Sequence, residues 1–165
     1  MEVYFFICIF AKNKNMNIKI VEKDITTSDA TLILHQVNCQ HAMGSGVAKA
    51  IKDKWSIVYD KYMSLKEQKL GMVQIVKVEK DKYVCNLFAQ DNFGYDGQRY
   101  TSYDALDTCL KQVAEFCQNE MIDTIAIPYY MSCDRGGACW DVVLAIIENV
   151  FKNSFVNIEL CKYKG

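Results

Sequence analysis

Two glycine-containing joins hold most of the side chains that could bind or transform a ligand. The first lies within "HQVNCQHAMGSGVAKAI", residues 35–51, and the second within "MSCDRGGAC", residues 131–139. Each leaves an apolar strand pattern and enters a helix, where unpaired backbone N–H groups and the helix dipole favour an anion. Glycine allows the backbone to approach phosphate oxygens without an intervening side chain. We therefore predict that both joins hold phosphate.

Neither join has the spacing of a common nucleotide-binding motif. The chain contains no Gly-Lys-Ser/Thr sequence, and neither join reads Gly-x-Gly-x-x-Gly. ATP and NAD in their usual pockets are therefore disfavoured. Two phosphate-holding loops at the same edge of a sheet instead predict a diphosphate held from both sides.

Several side chains near these joins are candidates for proton transfer or metal binding. His35 titrates in a range that suits proton transfer, although a hydrogen-bonded core histidine is the alternative. Asp134 is a candidate general base if it faces the ligand, and a surface carboxylate paired with Arg135 is the alternative. His35, Cys39 and His41 lack a fourth ligand at a familiar zinc spacing, so we expect no metal site.

The bulk composition predicts one globular domain and excludes several classes of protein. The chain has 165 residues, of which 51% are apolar and 24% charged, a balance that fits neither a disordered chain nor a transmembrane span. Its 19 basic and 20 acidic residues argue against general nucleic-acid binding. The eight cysteines include no Cys-x-x-Cys pair, and most fall on inward faces, which favours free thiols in the cytoplasm. We expect a monomer without a membrane partner.

The hydrophobic pattern alternates between strands and helices, which predicts an α/β fold with a mixed, mainly parallel sheet between helix layers. We predict residues 1–15 to be an N-terminal extension that adds a strand, and residues 16–165 to form the domain. The predicted strands are 17–23, 30–37, 72–80, 83–90, 123–130 and 155–163. A predicted helical stretch begins at Val47 and continues over 57–68. A further predicted helix starts after Thr101 or Ser102, and another covers 140–151.

Three segments, in this order, resemble the macrodomain family of ADP-ribose-binding modules. They are "EKDIT" at 22–26, "VNCQHAMGSGVAKAI" at 37–51 and "IPYYMSCDRGGACW" at 127–140. The resemblance covers about residues 17 to 163 and implies a three-layer α/β/α macrodomain. The stand-alone members are most similar: terminal ADP-ribose protein glycohydrolases, DNA ADP-ribosyl glycohydrolase antitoxins and ADP-ribose-1″-phosphate phosphatases.

The resemblance also implies roles for individual residues. Asp24 would accept a hydrogen bond from the adenine amine and Ile25 would supply a backbone donor, although a turn cap remains the alternative for Asp24. Asn38 would bind the distal ribose. The remaining ligand-binding set would hold the diphosphate and the distal ribose; it comprises Met43, Gly44, Ser45, Gly46, Val47, Gln90, Ser132, Cys133, Asp134, Arg135, Gly136, Gly137 and Ala138.

Two departures from the family pattern bear on the expected activity. Gln90 or Asp91 occupies the place of a nucleophilic lysine, which disfavours a covalent lysine mechanism. The usual Gly-Cys-Gly-Leu of the second loop is replaced by Ser-Cys-Asp-Arg, residues 132–135.

We therefore expect a protein that binds ADP-ribose or an ADP-ribosylated substrate and hydrolyses a group on the distal ribose without a cofactor. It would be an ADP-ribose 1″-phosphate phosphatase or an ADP-ribosyl ester hydrolase. The catalytic candidates are His35, Asn38 and Asp134. A non-catalytic reader of ADP-ribose is the main alternative, and a cysteine-dependent redox or metal protein is a third.

Overall fold

The structure, a computed structural model, describes residues 16–164. Its strands are β1 (Asn17–Glu22), β2 (Leu32–Asn38), β3 (Val73–Glu79), β4 (Lys82–Gln90), β5 (Thr124–Pro128) and β6 (Asn157–Lys162). Its helices are α1 (Gly46–Lys54), α2 (Ser56–Ser64), α3 (Tyr103–Asn119) and α4 (Trp140–Phe151), and a 3₁₀ turn covers Ile25–Thr27. The extra strand predicted within residues 1–15 lies outside the described residues.

The six strands form one mixed sheet in the order β1-β6-β5-β2-β4-β3, as the alternating pattern predicted. β3 pairs antiparallel with β4, and the other neighbours pair in parallel. The carboxyl ends of β2, β4 and β5 therefore lie next to one another at one edge of the sheet. Each of these three ends continues into a loop that the sequence marked as polar or glycine-containing.

Helices cover both faces of the sheet, which explains the nearly continuous apolar run of β2. Leu32 and Leu34 belong to the core that includes the buried residues of α3 and α4. Ile33 points to the opposite face and packs in a second core with Ile51 of α1. The confirmed architecture is thus a three-layer α/β/α fold.

The helix boundaries follow local sequence signals with one exception. Ser102 caps α3, where its side chain accepts a hydrogen bond from the backbone N–H of Ala105. α2 ends at Ser64, four residues before the predicted end at residue 68. Leu65 adopts an extended conformation and packs with Met72 against the cluster around Tyr62 and Phe88. The apolar residues that extended the predicted helix therefore lie in a loop and pack against the core from there.

The seven cysteines within residues 16–164 are all free thiols. Cys85, Cys109, Cys117 and Cys161 are buried, as their positions on strands and helices predicted. Burial raises the pKa of Cys117 to about 12.

Within residues 16–164, no helix has both the length and the apolar character needed to cross a bilayer.

Shortening Leu110 should destabilise the fold, because its side chain is fully buried between α3 and the sheet. We expect Leu110→Ala to lower the free energy of unfolding by about 2–5 kcal/mol in urea titrations. Glu115→Ala, an exposed change on the same helix, should shift it by no more than about 0.5 kcal/mol. Equal effects of the two substitutions would contradict the packing described for α3.

Thiol labelling should follow burial, because the reactive form of cysteine is the thiolate. The exposed Cys139 should react first in the native protein at pH 8. Cys109 and Cys117, each with a pKa raised to about 12 by burial, should react only after unfolding. Peptide mass spectrometry of a labelling time course would locate each modified residue. Rapid native labelling of Cys117 would show that this face of α3 is not packed against the core as described.

Candidate functional site

A cavity of about 480 Å³ opens at the carboxyl edge of the central strands. We call residues 39–45 the first loop, residues 91–102 the polar loop and residues 129–139 the second loop. Ala42 through Ala48 line one side of the cavity, and Tyr129 through Gly136, with the exception of Cys133, line another. The ends of β2, β4 and β5 form its floor. The two joins that the sequence placed opposite each other thus share one cavity.

The first loop and the start of α1 present an unoccupied set of backbone donors. Ser45 is the N-cap of α1, and its side chain makes no capping hydrogen bond. Within residues 16–164, the backbone N–H groups of Gly46, Val47 and Ala48 have no acceptor. A Cβ at Gly44 or Gly46 would meet no protein atom within 4 Å, so both glycines border open space. This geometry suits an anion bound at a helix N-terminus.

The second loop presents a further set of free donors. Tight turns close it, with Cys133 N–H donating to the Tyr130 carbonyl and Ala138 N–H donating to the Ser132 carbonyl. In the described part of the chain, the N–H groups of Asp134, Arg135 and Gly136 have no acceptor. These three residues line the cavity. The second loop can therefore hold an anion from the side opposite α1.

The glycines of the second loop allow close packing, a role that the sequence analysis did not predict. A Cβ at Gly136 would lie 2.3 Å from Thr101 Oγ1 and 2.5 Å from the Ser132 carbonyl oxygen. A Cβ at Gly137, where φ is +65°, would lie 2.4 Å from the Gln98 carbonyl oxygen. Both glycines therefore allow close packing of the second loop against its neighbours, and their predicted approach to phosphate oxygens stays a prediction.

Gln36, which the sequence analysis missed, holds the second loop in place. Its Oε1 accepts a hydrogen bond from Ser132 Oγ at 2.6 Å, and its Nε2 donates to Gln90 Oε1 at 3.0 Å and to Thr101 Oγ1 at 2.8 Å. Ser132 has φ of +73°, in the region that favours glycine. Its hydrogen bond to Gln36 fixes it there. A glutamine within the apolar run of β2 was the available signal, because a partly buried amide requires hydrogen-bond partners.

Asn38 lies at the end of β2 and lines the cavity. Its Nδ2 donates to the Ala42 carbonyl at 2.8 Å, and its Oδ1 accepts from the Gln40 N–H at 2.9 Å. The side chain therefore shapes the first loop as well as facing the cavity.

Gln90 also lines the cavity, although its side chain is only 7% exposed. Its hydrogen bond to Gln36 makes it part of the scaffold behind the loops.

Asp24 and Ile25 lie outside the set of residues that line the cavity. Asp24 Oδ1 accepts hydrogen bonds from the backbone N–H and the hydroxyl of Thr26, so it caps the 3₁₀ turn. Ile25 is buried in the core beneath α1. Cys133, Gly137 and Ala138 of the predicted binding set also lie outside the lining. The capping alternative thus describes the contacts of Asp24 in this structure.

His35 borders the cavity, but its side chain is only 1% exposed. Its Nε2 lies 2.5 Å from Asn86 Oδ1, and Asn86 Nδ2 donates to Gln74 Oε1 at 3.0 Å. Burial lowers the pKa of His35 to about 4, against the opposing effect of the Asn86 hydrogen bond. The imidazole is therefore neutral at neutral pH and belongs to a polar row across β2, β4 and β3, the core alternative considered for it.

Asp134 is exposed and lies at the mouth of the cavity. Its Oδ2 accepts a hydrogen bond from the Tyr95 hydroxyl at 3.1 Å, and Arg135 Nε donates to the same hydroxyl at 3.3 Å. The guanidinium of Arg135 also lies over the rings of Phe93 and Tyr95. Tyr95 thus stands between the two charges, and among the described residues no ion pair joins Asp134 to Arg135.

Within residues 16–164, no cluster of three histidine, cysteine or acidic residues has the geometry of a metal site.

Comparisons with known proteins agree with this arrangement. A family model described as Macro domain matches residues 34–147. A protein of unknown function from Bacteroides thetaiotaomicron has a TM-score of 0.82 at 28% identity, covering 90% of this chain and 99% of that one. The macrodomain of Mycobacterium tuberculosis DarG has a TM-score of 0.76 at 19% identity, covering 91% and 99%.

A third similar structure is Thermosipho africanus DarTG in complex with ADP-ribose, with a TM-score of 0.74 at 18% identity, covering 92% of this chain and 44% of that one. The last two likenesses concern the fold. The family match includes most of β2, the first loop, the polar loop, the second loop and most of α4. On this evidence the chain belongs to the macro domain family.

Proposed function

We propose that this macrodomain binds ADP-ribose and hydrolyses a group attached to the distal ribose. The observation that carries the proposal is the pair of unoccupied N–H sets, on α1 and on the second loop, that face one cavity. A diphosphate has oxygens on both sides and can accept hydrogen bonds from both sets at once. The Thermosipho structure named as a complex with ADP-ribose supports the choice of ligand.

Binding at the diphosphate would position the sugar beyond it. Hydrogen bonds from fixed backbone donors need little reorganisation and hold the ligand far from the reacting group. Asn38 lines the cavity beside the first loop and would contact the distal ribose. We infer that this anchoring places the bond to the leaving group near Asp134.

Asp134 is the proposed base. It is an exposed carboxylate at the mouth of the cavity, and the Tyr95 hydroxyl restricts its orientation. A carboxylate in this place can accept a proton from an attacking water molecule. Water would then replace the leaving group on the ribose, which is either the phosphate of ADP-ribose 1″-phosphate or an ester-linked group. His35 remains outside this proposal because its imidazole is buried and bonded to Asn86.

A non-catalytic reader is the second candidate function, and the side chain of Gln90 favours it. Gln90 occupies the place where related glycohydrolases use a lysine, and its amide is bonded to Gln36. A glutamine provides no nucleophile. Turnover measurements separate the reader from the hydrolase. In either case the free thiols of the described residues support a cytoplasmic protein, and we propose that it acts as a monomer.

A side chain added at Gly44 should block the ligand without disturbing the fold. A Cβ there meets no protein atom within 4 Å, and the residue lines the cavity. We expect Gly44→Val to lower the affinity for ADP-ribose at least about tenfold by calorimetry, while the melting temperature changes by less than about 2 °C. Gly44→Ala should have a smaller effect on affinity. If Gly44→Val binds like the wild type, the ligand does not lie on the first loop.

Removing the charge of Asp134 should abolish hydrolysis and preserve binding. We expect Asp134→Asn to lower turnover of ADP-ribose 1″-phosphate or of an ADP-ribosyl ester by at least about 100-fold. Phosphate release and chromatography of the products would measure these rates. Asp96→Asn is the matched control, because Asp96 is also an exposed carboxylate bonded to a tyrosine hydroxyl, that of Tyr100. ADP-ribose binding without turnover by the wild type would favour the reader.

A further inference from the structure

Tyr62 lies outside the cavity lining but contacts two of its residues, Asn38 and Ala42. It belongs to α2, is fully buried and stacks on Phe88 with ring centroids 5.8 Å apart. Its hydroxyl oxygen lies 2.8 Å from the backbone carbonyl oxygen of Asn38 and 3.0 Å from Asn38 Oδ1. The same oxygen accepts a hydrogen bond from the Ala42 N–H at 3.1 Å. One hydroxyl therefore connects both ends of the turn at residues 38–42.

These contacts fix which way the amide of Asn38 is oriented. A backbone N–H can only donate and a carbonyl can only accept. The Gln40 N–H at 2.9 Å and the Ala42 N–H at 3.4 Å therefore require an oxygen at the Oδ1 position. The Ala42 carbonyl at 2.8 Å requires a nitrogen at the Nδ2 position. The single proton of the Tyr62 hydroxyl is shared between Oδ1 and the backbone carbonyl oxygen of Asn38, which lies closer.

The Asn38 amide oxygen is turned toward donors of the protein. Its Oδ1 accepts from the Gln40 N–H at 2.9 Å and lies near the Ala42 N–H and the Tyr62 hydroxyl, each of which also has a closer acceptor. One Nδ2 hydrogen is bonded to the Ala42 carbonyl. The second Nδ2 hydrogen is the remaining uncommitted group of this side chain, which lines the cavity.

We propose that Tyr62 is a positioning residue that holds Asn38 with Oδ1 turned toward the protein and Nδ2 available as a hydrogen-bond donor to the ligand. The inference rests on the proposed function and specifies it further: the group that meets Asn38 must offer an oxygen lone pair. A ribose hydroxyl oxygen meets this condition, and so does an oxygen of a carboxylic ester or of a phosphate on the distal ribose. A ligand amine or ammonium at this position would face an N–H and be rejected.

The neighbourhood of Tyr62 keeps its hydroxyl protonated and holds the first loop through further hydrogen bonds. Burial raises the pKa of Tyr62 to about 12, so the hydroxyl keeps its proton at neutral pH. The segment that follows α2 also holds the first loop, because Gln68 Oε1 accepts from the His41 N–H and Gln68 Nε2 donates to the Tyr62 carbonyl. The end of α2 and Gln68 thus brace the turn that presents Asn38.

Tyr62→Phe tests the inference because it removes one oxygen atom and keeps the stacked ring. We expect the affinity for ADP-ribose to fall about tenfold, while the affinity for ADP, which lacks the distal ribose, changes less than about twofold. Tyr59→Phe is the matched control. Tyr59 lies on the same helix, and within the described residues its hydroxyl makes no hydrogen bond with another side chain or the backbone. It should bind both ligands like the wild type.

A measurement without ligand keeps this test separate from the test of the proposed function. Nuclear magnetic resonance should show one slowly exchanging Nδ2 proton of Asn38 in the wild type and faster exchange in Tyr62→Phe. Unchanged exchange would overturn the inference, whether or not the wild type binds ADP-ribose. An equal loss of ADP and ADP-ribose binding in Tyr62→Phe would also overturn it, because the first loop would then have failed as a whole. If the wild type binds no ADP-ribose, the proposed function fails and the exchange rates alone decide the role of Tyr62.

Discussion

Parallel pairing of β2 with both β4 and β5 is the constraint on which the site depends. Parallel strands end at the same edge of a sheet, so the loops that follow these three strands must meet there. The crossover helices cover the faces of the sheet and leave this edge open. A diphosphate-sized cavity between two glycine-containing loops is therefore a consequence of strand order. Local loop sequence decides only what the cavity can bind.

The loops obtain their shape from side chains that lie behind them. Gln36 connects the second loop to β4 and the polar loop through three hydrogen bonds with well-defined donors and acceptors. Tyr62 does the same for the turn that carries Asn38. In both cases the side chain behind the loop bonds to loop atoms other than the free backbone N–H groups. Those N–H groups, which face the cavity, are therefore left available for a ligand. Buried networks of this kind are costly when one partner is lost, so they favour a single loop conformation.

The sequence predicted the fold well because its signals are local. Alternation, apolar periodicity and the cap at Ser102 located the strands and helices, and α4 has the predicted bounds of 140–151. The site was predicted less fully because its contacts join distant parts of the chain. Gln36 and Ser132 are 96 residues apart, and no spacing rule relates them. The same limit applies to Asp134. Its hydrogen-bond partner Tyr95 lies 39 residues earlier in the chain, and only the fold brings the polar loop next to the second loop.

Gly136 and Gly137 have almost no clearance from residues 98–101. Enlarging either side at this contact would force the other to move, so the two segments are expected to accumulate changes together during descent. Relatives whose polar loop has a different length should carry a compensating difference after β5. Transplanting one segment into a homologue without its companion would therefore transfer its residues but not its conformation.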